Sequence, residues 1–385
     1  MALNVTKSKV ARFVVATLAV GVVAMSSASP VSAAKAGDKC SLKDAYKIEK
    51  VGSIYIRCEI VKGTSLHATT AAKKAKFAWT RTIQRQYNIA SAKGDTVRVD
   101  GSSTVYPLSA VAAKYFENAS KSVNKKKGSK VVVGFSGTGG GFEKFCRNET
   151  DISNASRAIK SSEAAICKTA GVTYTEILIA NDGLAVVVNK DNTWASCLTM
   201  AELKKIWDLN STVTKWSDVR ASFPSTPVKL FGAGTDSGTF DSFTEMVNGK
   251  AKQVRKDGVQ TSEDDNVTVA GVSGDKGGMG YFGLSYALEN ESKVKLVQIE
   301  KTAGAGCITP NNATVQEQKY PLSRPLYTYV KNDSLVRIPA VAAYVQFWVD
   351  NLAQISEDAI FVPLTKPQMG TLTKQILAVT KLARG

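Results

Sequence analysis

Three short loops combine hydroxyl side chains with glycine: Gly101-Ser102-Ser103-Thr104-Val105, Gly137-Thr138-Gly139-Gly140-Gly141 and Asp236-Ser237-Gly238-Thr239-Phe240. Each opens a helical pattern. Hydroxyls and uncovered backbone N–H groups at a helix N-terminus face the positive end of the macrodipole, where negative charge is favoured. A tetrahedral oxyanion is held by many convergent donors, so three such loops in one chain read as an anion cradle. They do not read as a hydrolase. The single histidine, His67, lies outside the region of the loops, which argues against a His-based triad and a zinc site. A loop serine would lack an evident base.

The elements that must position these loops alternate between strand and helix. Apolar strand-like runs at 96–99, 131–135 and 228–231 each precede one loop. Helical patterns follow at 107–118, 141–147, 161–169, 199–209 and 239–247. Pro107 suits a first helical turn, and Thr199-x-x-Glu202 is a capping box. Further strands are expected at 175–180, 184–189, 293–299 and 326–330, and helices at 338–355 and 367–382. This alternation implies an α/β architecture, in which ligands sit beyond the carboxyl ends of strands, where the loops lie. Taken singly, each loop has an ordinary helix cap or a glycine turn as its alternative reading. Trp194, Trp207 and Trp216 read as core.

The segment before residue 96 is different. Lys7, Lys9 and Arg12 precede an apolar run at 13–25, and Val31-Ser32-Ala33 fits a small-x-small cleavage site, so residues 1–34 read as a secretory signal peptide. Cys40 is not at a lipoprotein-type junction, and no lipid anchor is evident. The mature protein is expected to be exported to a periplasm, cell envelope or medium. Residues 35–94 form a small basic Cys-containing module with a linker, including strand-like alternation at 53–60. Six cysteines in an exported chain suggest up to three disulfides with fifteen connectivities. Pairing locally where possible gives Cys40–Cys58, Cys146–Cys167 and Cys197–Cys307. The formal net charge is +17. It reads as a solvated basic surface, or as attraction to anions, acidic envelope polymers or nucleic acid. No aromatic-basic RNA signature or zinc finger supports nucleic acid.

From residue 96 onward the chain resembles the phosphate-binding protein of the high-affinity phosphate ABC transporter. The resemblance rests on an ordered set of motifs: Gly101-Ser102-Ser103-Thr104-Val105-Tyr106-Pro107, the glycine loop 137–141, Ala155-Ser156-Arg157, Asn181-Asp182-Gly183-Leu184, the loop 234–240, Gly278-Met279-Gly280-Tyr281-Phe282 and Tyr320-Pro321-Leu322-Ser323-Arg324-Pro325. It implies a two-lobed periplasmic-binding-protein fold with ligand in the interlobe cleft. Lobe one would hold 96–183 and 320–385, and lobe two 184–319, joined by crossover segments at 177–188 and 324–330. It implies a monomer without a cofactor or a reaction of its own, which captures inorganic phosphate for a membrane permease. Receptors for sulfate or molybdate, and a secreted phosphatase-like protein, are the alternatives.

The resemblance also implies site residues. Ser103, Thr104 and Val105 match the first loop, Thr138 the second, and Ser237, Gly238 and Thr239 the third. In the best-known branch of that family, Ala-Ser is followed by an Asp that accepts the phosphate proton, and an Arg precedes the third loop. Here Arg157 and Ala233 stand at those positions. Arg157 is then expected to supply the cation, its planar fork suiting an oxyanion. The proton acceptor is expected to be Asp182, with Asp236 as the second candidate.

Overall fold

Buried Val97 and Val99 flank exposed Arg98 in the first strand of the main sheet, β1 (Thr96–Gly101). The helix α1 (Tyr106–Asn124) then lays Leu108, Ala112, Tyr115, Phe116 and Ala119 against it at helical spacing. The same strand–loop–helix unit recurs in β2 (Lys130–Val133) with α2 (Gly137–Cys146), and in β3 (Ile152–Ala155) with α3 (Ser161–Thr169). The chain then crosses in β4 (Tyr174–Asn189) and continues through α4 (Met200–Trp207), β5 (Lys229–Ala233) and α5 (Gly238–Asn248). Next come β6 (Val259–Ser262), α6 (Asp265–Gly274), β7 (Gly278–Gly283), α7 (Leu284–Glu289) and β8 (Val294–Leu296). It returns in β9 (Ser323–Lys331) and ends in α8 (Pro339–Asp350), α9 (Leu352–Asp358) and α10 (Lys366–Leu382). The structure is a computed structural model describing residues 38–40, 48–51, 54–60, 64–65, 73–74, 77–82, 92, 94–124, 127–235, 237–262 and 264–382. The expected signal peptide at 1–34 and the candidate acceptor Asp236 lie outside the described residues.

One mixed sheet runs β6-β5-β7-β4-β9-β3-β1-β2, with β8 paired to the end of β4. Strands at either end of the order pair in parallel, as crossover helices require, whereas β4 and β9 pair antiparallel at its centre. Two apolar cores flank this pair. The first contains Val97, Phe116, Ile177, Ile179, Leu326, Tyr344 and Trp348. The second contains Leu184, Val186, Val188, Trp207, Trp216, Phe231 and Phe282, with Trp194 packed against it. β4 therefore lends residues before Asn181 to one core and residues after Gly183 to the other. The chain is a mixed α/β fold of two lobes. Tyr320, Leu322 and Val362 belong to the second core although they lie within the sequence range 320–385.

The expected strands at 175–180 and 184–189 are one strand. Asn181-Asp182-Gly183 has turn composition, yet it pairs with Pro325, Arg324 and Ser323. Partner hydrogen bonding holds it extended, and a Cβ on Gly183 would come within 2.6 Å of Val315. The expected helix at 338–355 is two helices. Asn351 breaks it, its side-chain Nδ2 donating to the Phe347 carbonyl at 2.6 Å. The expected strand at 293–299 is also divided: β8 pairs with β4, and Gln298–Glu300 pairs with Cys197–Thr199. The second-loop helix begins at Gly137 rather than 141, so that loop is itself the first turn of α2. Thr199 forms the expected capping box with Glu202.

Disulfides join Cys40 to Cys58, Cys146 to Cys167 and Cys197 to Cys307. The N-terminal strands Lys39–Cys40, Ile48–Val51, Ile54–Ile60 and Phe77–Thr82 form a four-stranded antiparallel sheet. Cys58 and Ala92 are fully buried within the first core, so this module is packed into that lobe.

Candidate functional site

Asp100, at the carboxyl end of β1, fixes the first two loops relative to each other. Its carboxylate accepts from the N–H of Gly101 at 2.7 Å, the N–H and hydroxyl of Ser136 at 2.9 and 2.6 Å, and Lys144 Nζ at 2.7 Å. Burial pushes its carboxyl up, but Lys144 and the Ser136 and Gly101 donors outweigh it and hold the group below its ordinary value. Gly101 (φ +136°) permits the chain to turn here, since a Cβ would lie 2.1 Å from the Asn154 carbonyl.

The first loop faces α5 directly. Ser103 Oγ donates to Asp241 Oδ2 at 2.5 Å, and the Thr104 and Ser242 hydroxyls meet at 2.7 Å. Gly238 makes this approach feasible, because a Cβ there would stand 2.7 Å from the Ser103 carbonyl oxygen. Ser237 caps α5, accepting from the Thr239 N–H at 3.1 Å. Val105 is different: its side chain lies in the first core, and its N–H donates to Ser102 O at 3.2 Å.

Arg324, on β9, reaches into the same junction. Its Nε donates to Asp182 Oδ2 at 3.2 Å, Nη1 to Glu245 Oε2 at 2.7 Å, and Nη2 to Thr104 Oγ1 at 2.9 Å and to Ser242 Oγ. Asp182 also accepts from Ser242 Oγ at 3.4 Å. Burial pushes the Asp182 carboxyl up, opposed by Arg324 and Ser242. Thr104, Asp182, Ser237, Gly238, Thr239 and Ser242 form the polar side of a cavity of about 450 Å³, and Pro107, Val111, Leu184 and Phe361 contribute an apolar wall. The N-termini of α1, α5 and α6 all open on it, through Pro107, Gly238 and Asp265.

Thr138 and Arg157 do not line that cavity. Thr138 Oγ1 accepts from the Ser156 N–H at 3.2 Å and meets the Ser156 hydroxyl at 3.1 Å. Arg157 makes a bidentate pair with Glu163 at 2.7 and 2.8 Å. That pairing raises the Arg157 guanidinium above its ordinary value, and the Glu245 carboxylate adds to the effect. Glu245 thus acts on both arginines, Arg157 from lobe one and Arg324 from the crossover.

Sequence reasoning singled out Thr104, Asp182, Ser237, Gly238 and Thr239, which the fold gathers around one cavity. It missed Arg324, Asp241, Ser242 and Glu245. Arg324 was visible as a cation in the 320–325 motif, but its reach across the cleft depends on its register opposite Asp182. Asp241 and Glu245 are one helical turn apart in the helix that the third loop opens, a spacing that puts both on one face. Among the described residues, no group of three or more His, Cys, Asp or Glu side chains is placed to hold a metal ion. No helix among them is long and apolar enough to cross a membrane.

Comparison with known proteins places this architecture. A family model described as a PBP superfamily domain matches residues 87–351. Protein SphX of Synechococcus elongatus is 42% identical over 278 residues, covering 71% of this chain and 79% of that protein. The phosphate-binding protein PstS of Staphylococcus saprophyticus is 37% identical over 280 residues, covering 72% and 84%. A crystal structure from Planctomyces limnophilus, described as a possible phosphate binding protein, is 44% identical with a TM-score of 0.69, covering 74% of this chain and 98% of that one. The chain belongs to the PBP superfamily and, within it, to the family of SphX and the phosphate-binding protein PstS.

Proposed function

We propose that this protein is an exported receptor that captures inorganic phosphate in its interlobe cleft and delivers it, as a monomer, to the permease of an ABC transporter. The observation that carries the reading is the meeting of two helix N-termini across the cleft: the Ser103-Thr104 loop of α1 lies directly against the Ser237-Gly238-Thr239 start of α5. Hydroxyls, backbone N–H groups and the positive ends of two helix dipoles at one junction suit a tetrahedral oxyanion. Arg324 brings positive charge to this junction, donating to Thr104 and Ser242. The relatives named PstS as phosphate-binding proteins support phosphate as the ligand.

Lobe closure is the functional motion in this reading. Phosphate bridging α1 and α5 would hold the lobes together, and the permease would recognise that closed surface. The protein carries out no reaction of its own. Calorimetric titration of the mature protein, stripped of bound anion, tests this directly. Tight one-to-one binding of phosphate is expected, with no release of phosphate from a chromogenic ester. Absence of phosphate binding, or turnover of the ester, would overturn the reading.

A further inference from the structure

The inference rests on the phosphate reading and concerns what else the same cleft can hold. The cavity beside the Thr104, Ser237 and Thr239 donors measures about 450 Å³. A tetrahedral ion displaces only a few waters, each with a share of about 30 Å³ in the liquid, so it leaves most of that space unfilled. Further closure does not remove the space. The lobes already touch beside it, where a Cβ on Gly238 would stand 2.7 Å from the Ser103 carbonyl oxygen. A cavity of this size suits a small organic ligand.

The wall away from the donors is apolar. Pro107 and Val111 lie one turn apart on α1, Leu184 follows the crossover in β4, and Ile360 and Phe361 lie just beyond the end of α9. Ile360 is the informative residue. α9 closes in a turn where the Phe361 N–H donates to the Ser356 carbonyl at 2.8 Å and the Ile360 N–H to the Glu357 carbonyl at 3.1 Å. This turn holds Ile360 in the left-handed region, at φ +62°, where helix ends ordinarily place glycine. A β-branched residue is strained there. Glycine would make the same turn without strain, so the isoleucine side chain calls for a use. What it supplies is a branched apolar group on the cavity wall. Charge narrows the choice of ligand. Asp182, Asp265 and Asp358 also line the cavity. Burial and then the Asp265 carboxylate raise the neighbouring Tyr286 hydroxyl above its ordinary value. A second negative group on the ligand is therefore disfavoured at this end.

We infer that the cleft also takes organic phosphoryl compounds, alkylphosphonates or alkyl phosphate monoesters. The phosphoryl group sits at the Thr104 and Ser237 loops, and a short uncharged arm lies against Val111, Leu184, Ile360 and Phe361. The test is calorimetric titration of the protein, stripped of bound anion, at equal ionic strength. The ligands are inorganic phosphate, methylphosphonate, butylphosphonate, butyl phosphate and 3-phosphonopropionate. Both butyl compounds are expected to bind one-to-one and to compete with phosphate. Butylphosphonate should bind about tenfold more tightly than methylphosphonate, since each methylene taken out of water is worth up to about fourfold. The carboxylate arm of 3-phosphonopropionate should cost about tenfold relative to butylphosphonate. Ile360→Gly and Ile360→Asn both suit the left-handed turn, so their melts should hold or rise and their phosphate affinity should stay unchanged. Their preference for butyl over methyl should fall about fivefold. Binding of a single butyl compound supports the inference and assigns the class to phosphonates or to esters. Phosphate binding with neither butyl compound bound overturns the inference and leaves the phosphate reading standing. So does a butyl preference unchanged in both Ile360 variants. A protein that binds neither phosphate nor a butyl compound overturns both.

Discussion

Arg324 is bonded to Glu245 from the crossover strand: Nη1 meets Oε2 at 2.7 Å while Nε of the same guanidinium holds Asp182. The arginine is only 12% exposed and Asp182 6%, so this part of the network is shielded from water. Removing one member of a buried charged pair typically costs about 3–5 kcal/mol, because the other is left uncompensated. Arg324→Gln is accordingly expected to lower stability by about that amount, measured by denaturant unfolding. Arg324→Gln combined with Asp182→Asn should be less damaging than the sum of the two single changes.

Gly238→Ala should weaken ligand binding through the junction of the two loops. The added methyl meets backbone atoms of Ser103 and Thr104 at 2.7 and 2.9 Å, and neither can rotate away. The loops must move apart, so phosphate affinity is expected to fall about tenfold or more, a loss of at least ~1.4 kcal/mol. Stability should fall as well, by less than a buried-core truncation, because the Ser103–Asp241 and Thr104–Ser242 hydrogen bonds are lost when the loops part. Titration and thermal melting of the same sample decide the matter.

Acid sensitivity should be traceable to Asp100. Its folded-state value lies below that of the unfolded chain, so its contribution is present at neutral pH and is lost as pH falls through the folded value. Glu163, also held low by Arg157 despite burial, acts in the same direction. The melting midpoint should therefore decline below about pH 4, the region where an ordinary aspartate titrates. Asp100→Asn is expected to cost about 2 kcal/mol at neutral pH, the value of charge-assisted hydrogen bonds, and to flatten the acid limb of the profile.

The Cys197–Cys307 bridge spans a sequence separation of 110 residues, the longest of the three. Cys197 is half-buried and Cys307 exposed, so serine at both positions disturbs little packing. Loop-closure entropy assigns such a bridge about 4.7 kcal/mol. The double serine variant should melt well below the wild type and still bind phosphate with unchanged affinity, by calorimetry.

The loops were legible in the sequence because each is a local object: a strand, a glycine–hydroxyl turn and a helix start within a dozen residues. The first-loop donors and the Ser237 cap needed no knowledge of the rest of the chain. Arg324 and Asp241 were not legible, because their roles depend on contacts across 142 and 138 residues of sequence. The same distinction explains the misread elements. Asn181-Asp182-Gly183 carries turn chemistry, and only pairing with a strand from much later in the chain overrides it. Asn351 was a local break hidden in an otherwise unbroken apolar pattern.

Because β4 feeds both cores, the proposed lobe closure has to pass through the middle of a strand and not through a loop. Its centre is pinned: the Asn181 backbone exchanges hydrogen bonds with Val362, and its side chain contacts Gln318 and Gln368. Bending therefore has to spread along a two-stranded ribbon, as the twist of a leaf spring does, and cannot concentrate at one bond. It also means that the two cores share one strand. Unfolding of either core would fray the strand that the other relies on, so the two lobes should unfold in a single calorimetric transition rather than in succession.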